Sequence, residues 1–122
     1  MKRNLDLIRF ILLKVEESPE YNISLSSISE GSPYNLGDAN YNTMLLLDAG
    51  FLKVAVFNSR KDNVSDWNIV RMTNKGHDYL DAVRSPSVWK ETKERIKEKA
   101  VDLTLEGVMA VAVSIAKSYI GI

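Results

Sequence analysis

The stretch Leu36-Gly-Asp-Ala-Asn-Tyr-Asn-Thr-Met-Leu-Leu-Leu-Asp-Ala-Gly-Phe-Leu52 (LGDANYNTMLLLDAGFL) decides how this chain is read. It has the form of the second helix of a helix-turn-helix running into a strand. A helix over about 38–49 is expected, with Asp38 capping it or favouring its N-terminus. Gly50 is expected just past its end, where a left-handed turn costs least. In a DNA reader this helix enters the major groove and offers its N-terminal half to the bases. Yet residues 36–52 contain no lysine or arginine and two aspartates, Asp38 and Asp48.

Two demands sit on that one helix. Ala39, Leu46 and Ala49, with Asn42 or Thr43 between them, match a buried stripe. Asn35, Asn40, Tyr41, Asn42 and Thr43 are candidate base contacts, because asparagine pairs bidentately with an adenine edge. One turn on, Met44, Leu45, Leu46 and Leu47 advance by about 100° each and wrap apolar atoms around most of the circumference. That turn calls for a cover beyond a three-helix core, and the apolar C-terminal helix, from the same chain or a partner, is the expected one.

Working outward, Leu5, Ile8, Leu12 and Val15, with Ile11 beside them, predict an amphipathic helix over 4–17 with Asn4 as its cap. Residues 21–25 read as a short strand or simply extended chain. The Ser/Gly/Pro-rich run 26–37 allows only a brief helix. Phe51–Phe57 and Trp67–Met72 predict two strands joined by a loop over 58–66. Thr73 is placed to cap a helix over 74–84, Ser85-Pro86 opens another over 86–99, and Thr104 caps a last one over 105–119. The order predicts a mainly α fold with a small β-hairpin (α+β). It is that of a winged helix-turn-helix over 1–84, followed by a C-terminal helical extension over 85–122 that packs or dimerises.

Charge tempers the DNA reading. Sixteen Lys/Arg balance sixteen Asp/Glu in 122 residues, so no long-range field draws in a polyanion. Lys2, Arg3, Arg60 and Lys61 are the candidate phosphate contacts. Four such contacts give a log–log salt slope near about −3.6. The absence of cysteine excludes disulfides and thiolate-bound zinc, and fits a reducing cytoplasm, the expected location.

Enzyme motifs do not surface. There is no GxxxxGK[ST] or HExxH pattern and only one histidine, His77, so no His-pair site exists. His77 reads as structural or surface, the Asp81/Arg84 pair as an exposed ion pair, and Glu16-Glu17 as surface. No catalytic residue, metal, cofactor or small-molecule substrate is expected. The C-terminal run 107–122 includes Lys117 and falls short of the ~20 apolar residues of a membrane span. A helix so apolar all round is expected to be buried, within the chain or in a dimer seam. Met44, Leu47, Val108, Met109, Val111, Ala112, Ile115 and Tyr119 are its candidate interface residues.

Three stretches, MKRNLDLIRFILLKVEE at the N-terminus, YNTMLLLDAGFL in the middle and RMTNKGHDYLDAVRSPSVW after the second strand, resemble a small family of phage- and prophage-associated bacterial proteins. That family is catalogued as a domain of unknown function and is similar to winged-helix proteins. The resemblance covers most of 1–99, and Thr73, Gly76, His77, Leu80, Asp81, Arg84 and Trp89 carry its most specific part. It implies that Gly76 permits close packing against the wing. The apolar tail departs from the lysine-rich, amphipathic C-terminus of that family. The expected function is a DNA-binding accessory or transcriptional regulatory factor of phage type, acting on double-stranded DNA and self-associating through its last helix. The alternative is a non-enzymatic protein-interaction or dimerisation module on the same fold.

Overall fold

A computed structural model describes residues 2–19, 23–30, 32–56, 67–99 and 103–121. The chain is mainly helical, with one small antiparallel sheet. The element order is α1 (Leu5–Glu17), β1 (Ile23–Ser24), α2 (Leu25–Ser29), α3 (Leu36–Asp48), β2 (Leu52–Val56), β3 (Trp67–Met72), α4 (Asn74–Val83), α5 (Pro86–Lys99) and α6 (Leu105–Tyr119). It divides into two compact units, Met1–His77 and Asp78–Ile122.

In the first unit, α1 begins where Asn4 accepts a hydrogen bond from the Leu7 amide at 3.0 Å. It buries Leu7, Ile8, Ile11, Leu12 and Val15. Leu5, expected in that stripe, is only half-buried, and Leu7 takes its place. The stripe is wide because α1 packs on α3 and also on β3, so two adjacent ridges lose contact with water.

Helix α3 starts two residues earlier than the apolar pattern suggests, and its cap is Asn35 rather than Asp38. The Asn35 Oδ1 accepts from the Asp38 amide at 2.8 Å, and its Nδ2 donates to the Asp38 Oδ2 at 3.0 Å. Asp38 thus sits in the first turn, where a carboxylate is stabilised by the helix dipole. The C-terminus closes as a Schellman motif: the Phe51 amide reaches the Leu46 carbonyl at 2.9 Å and the Gly50 amide the Leu47 carbonyl at 3.0 Å. Gly50 has a φ of 79°, the left-handed conformation that motif demands.

The expected two-stranded wing is part of a three-stranded sheet of order β1-β3-β2. Val56 opposes Trp67 and Val54 opposes Ile69, but Lys53 opposes Arg71, so Val70 is an extra residue on β3. That bulge explains why Ile69 and Met72, three apart, are both buried while Arg71 is exposed. The sequence loop over 58–66 lies outside the described residues.

A knot of short contacts ties the end of α3 to the start of α4. The Thr73 hydroxyl donates to the Gly50 carbonyl at 2.6 Å and accepts the Gly76 amide at 3.1 Å. The Thr73 amide donates to the Phe51 carbonyl at 2.9 Å. A Cβ on Gly76 would collide with that same Phe51 carbonyl and lie 2.6 Å from the Met72 Cγ. Gly76 is there because helix and strand pass too close for any side chain.

In the second unit, α5 and α6 pack on each other. Pro86 occupies the first helical position of α5, and Thr104 caps α6 by accepting the Gly107 amide at 3.0 Å. Helix α6 buries Leu105, Val108, Ala112 and Ile115. The Tyr119 hydroxyl donates to the Glu91 Oε2 at 2.6 Å, which ties the end of α6 to the first half of α5.

Candidate functional site

Helix α3 carries five of the candidate contacts expected from the sequence, counting its cap residue Asn35. Its buried stripe is Ala39, Asn42, Thr43 and Leu46. Asn42 is fully buried and wholly engaged. Its Oδ1 accepts the Asn4 amide at 2.8 Å, and its Nδ2 donates to the Asp38 carbonyl at 2.9 Å and to the Lys2 carbonyl at 3.4 Å. Asn42 therefore holds residues 2–4 beside α3, and Asn4 in turn caps α1. Thr43 is 1% exposed, with no hydrogen-bond partner for its hydroxyl.

These placements correct two candidate base contacts. Asn42 and Thr43 face the core, because the positions four and three residues from Ala39 and Leu46 share the inward side of the helix. Asn35 lies at the helix start, with its side chain committed to the cap. Asn40 and Tyr41 are half-buried and sit on the outward half, and the Asn40 Oδ1 is buried without a partner. Lys2 and Arg3 are exposed beside α3. Arg60 and Lys61 fall outside the described residues.

What α3 presents outward is apolar and acidic. Gly37, Tyr41, Met44 and Asp48 recur at spacings of four, three and four, directly opposite the buried stripe. Leu36, Asn40 and Leu47 flank it on one side, Asp38 and Leu45 on the other. Leu36 is 36% and Met44 39% exposed, while Leu45 and Leu47 are half-buried. Met44 therefore keeps an exposed side, while Leu46 of the same turn is fully buried.

Sequence reading missed a basic pair on the sheet. The bulge at Val70 sets exposed Lys53 directly across from exposed Arg71. Like charges directly opposite on a sheet are unfavourable, so this pair has no value as a structural contact. Only the strand register reveals it. The inward alternation of Leu52 and Met72 was the one signal that could have hinted at it.

The interface candidates divide in the same way. Val108, Ala112 and Ile115 are 0% exposed in the folded chain, so they have no surface left for a partner. Met109 and Val111 are half-buried. Tyr119 is 55% exposed, but its hydroxyl engages Glu91, and that hydrogen bond, with some desolvation and the carboxylate charge, raises Tyr119 above the usual phenol range. Within one chain α6 is buried on one side only: Ala110, Val113 and Ser114 are exposed.

Four of the seven residues that carry the most specific part of the resemblance serve the fold. Thr73 and Gly76 form the knot, Leu80 and Trp89 are buried, and Asp81 and Arg84 form an exposed ion pair at 2.7 Å. His77 is exposed on α4. Among the described residues, no three His, Cys, Asp or Glu side chains gather as metal ligands. No helix of the described residues is long and apolar enough to cross a membrane.

The fold thus defines a mainly helical protein with a small antiparallel sheet. Residues 2–102 match the family described as "Hypothetical protein (DUF2513)", and the chain belongs to that family. The match ends ahead of α6. An "Uncharacterized protein" of Haemophilus influenzae is 35% identical over 118 residues, covering 94% of this chain and 95% of that protein. No solved structure matches this chain.

Proposed function

We infer that the first unit is a winged helix used as a protein-docking module, without enzymatic activity, rather than as a reader of bases. The winged-helix assignment is supported by the order α1-β1-α2-α3-β2-β3 and by the sheet order β1-β3-β2. The observation that carries the docking reading is the outward face of α3. Half-buried Tyr41 and exposed Met44 lie on one line that ends at Asp48, with exposed Leu36 on one flank and exposed Asp38 on the other. A polyanion is repelled by such a face, whereas a protein segment with an apolar anchor and basic flanks complements it.

A photo-crosslinking side chain at position 44, introduced in cells, tests this reading. A discrete protein adduct that disappears when Leu36 is changed to Glu supports it. Adducts that are only nuclease-sensitive, or none at all, refute it.

A second reading, double-stranded DNA held through its phosphates by an accessory or regulatory factor, draws on the Lys53–Arg71 pair and on Lys2 and Arg3 beside α3. Titration against mixed-sequence duplex at low salt tests it. Reversing both wing charges (K53E/R71E) should then cut the salt slope by about 1.8. Absence of binding at about tens of micromolar protein, weaker than typical non-specific binding, removes it.

A further inference from the structure

Helix α6 leaves one side without cover. Its buried residues recur at Leu105, Val108, Ala112 and Ile115. Diametrically opposite run Glu106, Ala110, Val113 and Lys117, spaced by four, three and four, and Ile120 continues the line at the helix end. Val113 is 37% and Ile120 70% exposed, and Glu106, Ala110 and Lys117 are exposed as well. Between Glu106 and Lys117 the line carries no charge. Ala110 and Val113, with exposed Ser114 beside them, thus form a small apolar centre between an acidic and a basic end.

We propose that this face is a two-fold, antiparallel contact with a second copy of the chain, Glu106 of each copy meeting Lys117 of the other. The strip is complementary to itself about the point midway between Val111 and Ala112. A two-fold axis there sets Glu106 opposite Lys117 and Ala110 opposite Val113, twice over. Ile120, the most exposed large apolar side chain among the described residues, then falls near Leu103 of the second copy. A parallel arrangement would instead stack Glu106 on Glu106 and Lys117 on Lys117, so charge selects the antiparallel one. Ala110 at the centre lets the helix axes approach within about 8–10 Å.

The opposite stripe, with Val108, Ala112 and Ile115, is already buried in the folded chain and takes no part. A membrane surface is a poor occupant, because Lys117 is the one basic residue of the strip and interfacial helices carry a basic face. The size of the contact sets its strength. Fifteen residues of helix are about 22 Å long, and a single helix face buries less than the roughly 1,200 Å² of a stable interface. The dimer is therefore a reversible one, populated in the micromolar to millimolar range.

Sedimentation velocity of the full chain from about 10 μM to about 1 mM tests the proposal, because a contact below standard size dissociates within that range. The wild type should sediment faster as concentration rises. Val113→Glu should stay monomeric with unchanged helical circular dichroism, since the residue is exposed. Glu106→Lys and Lys117→Glu should each weaken the dimer about tenfold, and the double exchange should restore it to within about twofold. A sedimentation coefficient constant across the range overturns the proposal, and so does a dimer that survives Val113→Glu. A double exchange no tighter than either single change overturns the antiparallel pairing.

Discussion

Replacing Asn42 by alanine separates a helix that reads bases from one that organises the fold. In the structure Asn42 is 0% exposed, and its Oδ1 is the acceptor for the Asn4 amide at 2.8 Å. Its Nδ2 donates to the Asp38 carbonyl at 2.9 Å. That carbonyl belongs to an α-helix and keeps its main-chain partner, so the loss falls mainly on Asn4. A part-buried amide left without an acceptor costs about 1–3 kcal/mol. The vacated side-chain volume adds about 1 kcal/mol, and the better helix propensity of alanine returns about 0.6 kcal/mol. The net destabilisation is about 2–3 kcal/mol. For a chain of this size that is a fall in Tm of roughly 8–15 °C. The α1 cap depends on the same Asn4, so the amides of the first turn of α1 should lose hydrogen-exchange protection ahead of those in α3. Thermal and urea unfolding by circular dichroism, with exchange read by NMR, makes the measurement. If N42A unfolds within about 2 °C of the wild type, Asn42 has no structural role of this size and the outward reading of the helix regains its ground.

Three further outcomes follow from the geometry. Gly76→Ala should destabilise by about 2 kcal/mol despite alanine's better helix propensity. The added methyl meets the Phe51 carbonyl, itself fixed by the Thr73 amide, and a raised midpoint in urea would contradict this. Gly50→Ala should cost about 1 kcal/mol through its positive φ alone, because nothing lies within 4 Å of the added Cβ; chemical denaturation measures it. Tyr119 should titrate above 10 by ultraviolet absorbance, and Glu91→Gln should bring it back toward 10. The sign for stability follows. A phenol whose value rises on folding contributes stability below pH 10, and that contribution is lost as pH climbs through the folded value. The difference in stability between wild type and Tyr119→Phe should therefore shrink in strong alkali.

Much of the local architecture was legible in the residues. Asn4, Thr73 and Thr104 cap helices because their short side chains reach an amide three residues on, and that is a local property. Gly50 and the Ser85-Pro86 step mark helix ends for equally local reasons. The resemblance pointed to close packing at Gly76, and the collision of an added Cβ with the Phe51 carbonyl accounts for it. The third strand was less legible: two residues at Ile23–Ser24 have no periodicity, and β3 alone makes them a strand.

The site divides along the same line. By itself the sequence determined that α3 carries no positive charge and that one of its halves is polar and the other apolar, since both are matters of composition. It also determined the heptad-like line of Glu106, Ala110, Val113 and Lys117, though not which side of α6 would be covered. The sequence placed Asn42 or Thr43 in the buried stripe; tertiary structure decided that both turn inward while Met44 turns outward, because packing against α1 sets the rotation of α3 about its axis. It decided as well that one extra residue at Val70 brings Arg71 across from Lys53, a register settled by which side chains the core accepts. Caps and turns act over three or four residues and are written in the chain. The roll of a helix and the register of a strand are sums over distant contacts, and exist only once the chain has folded.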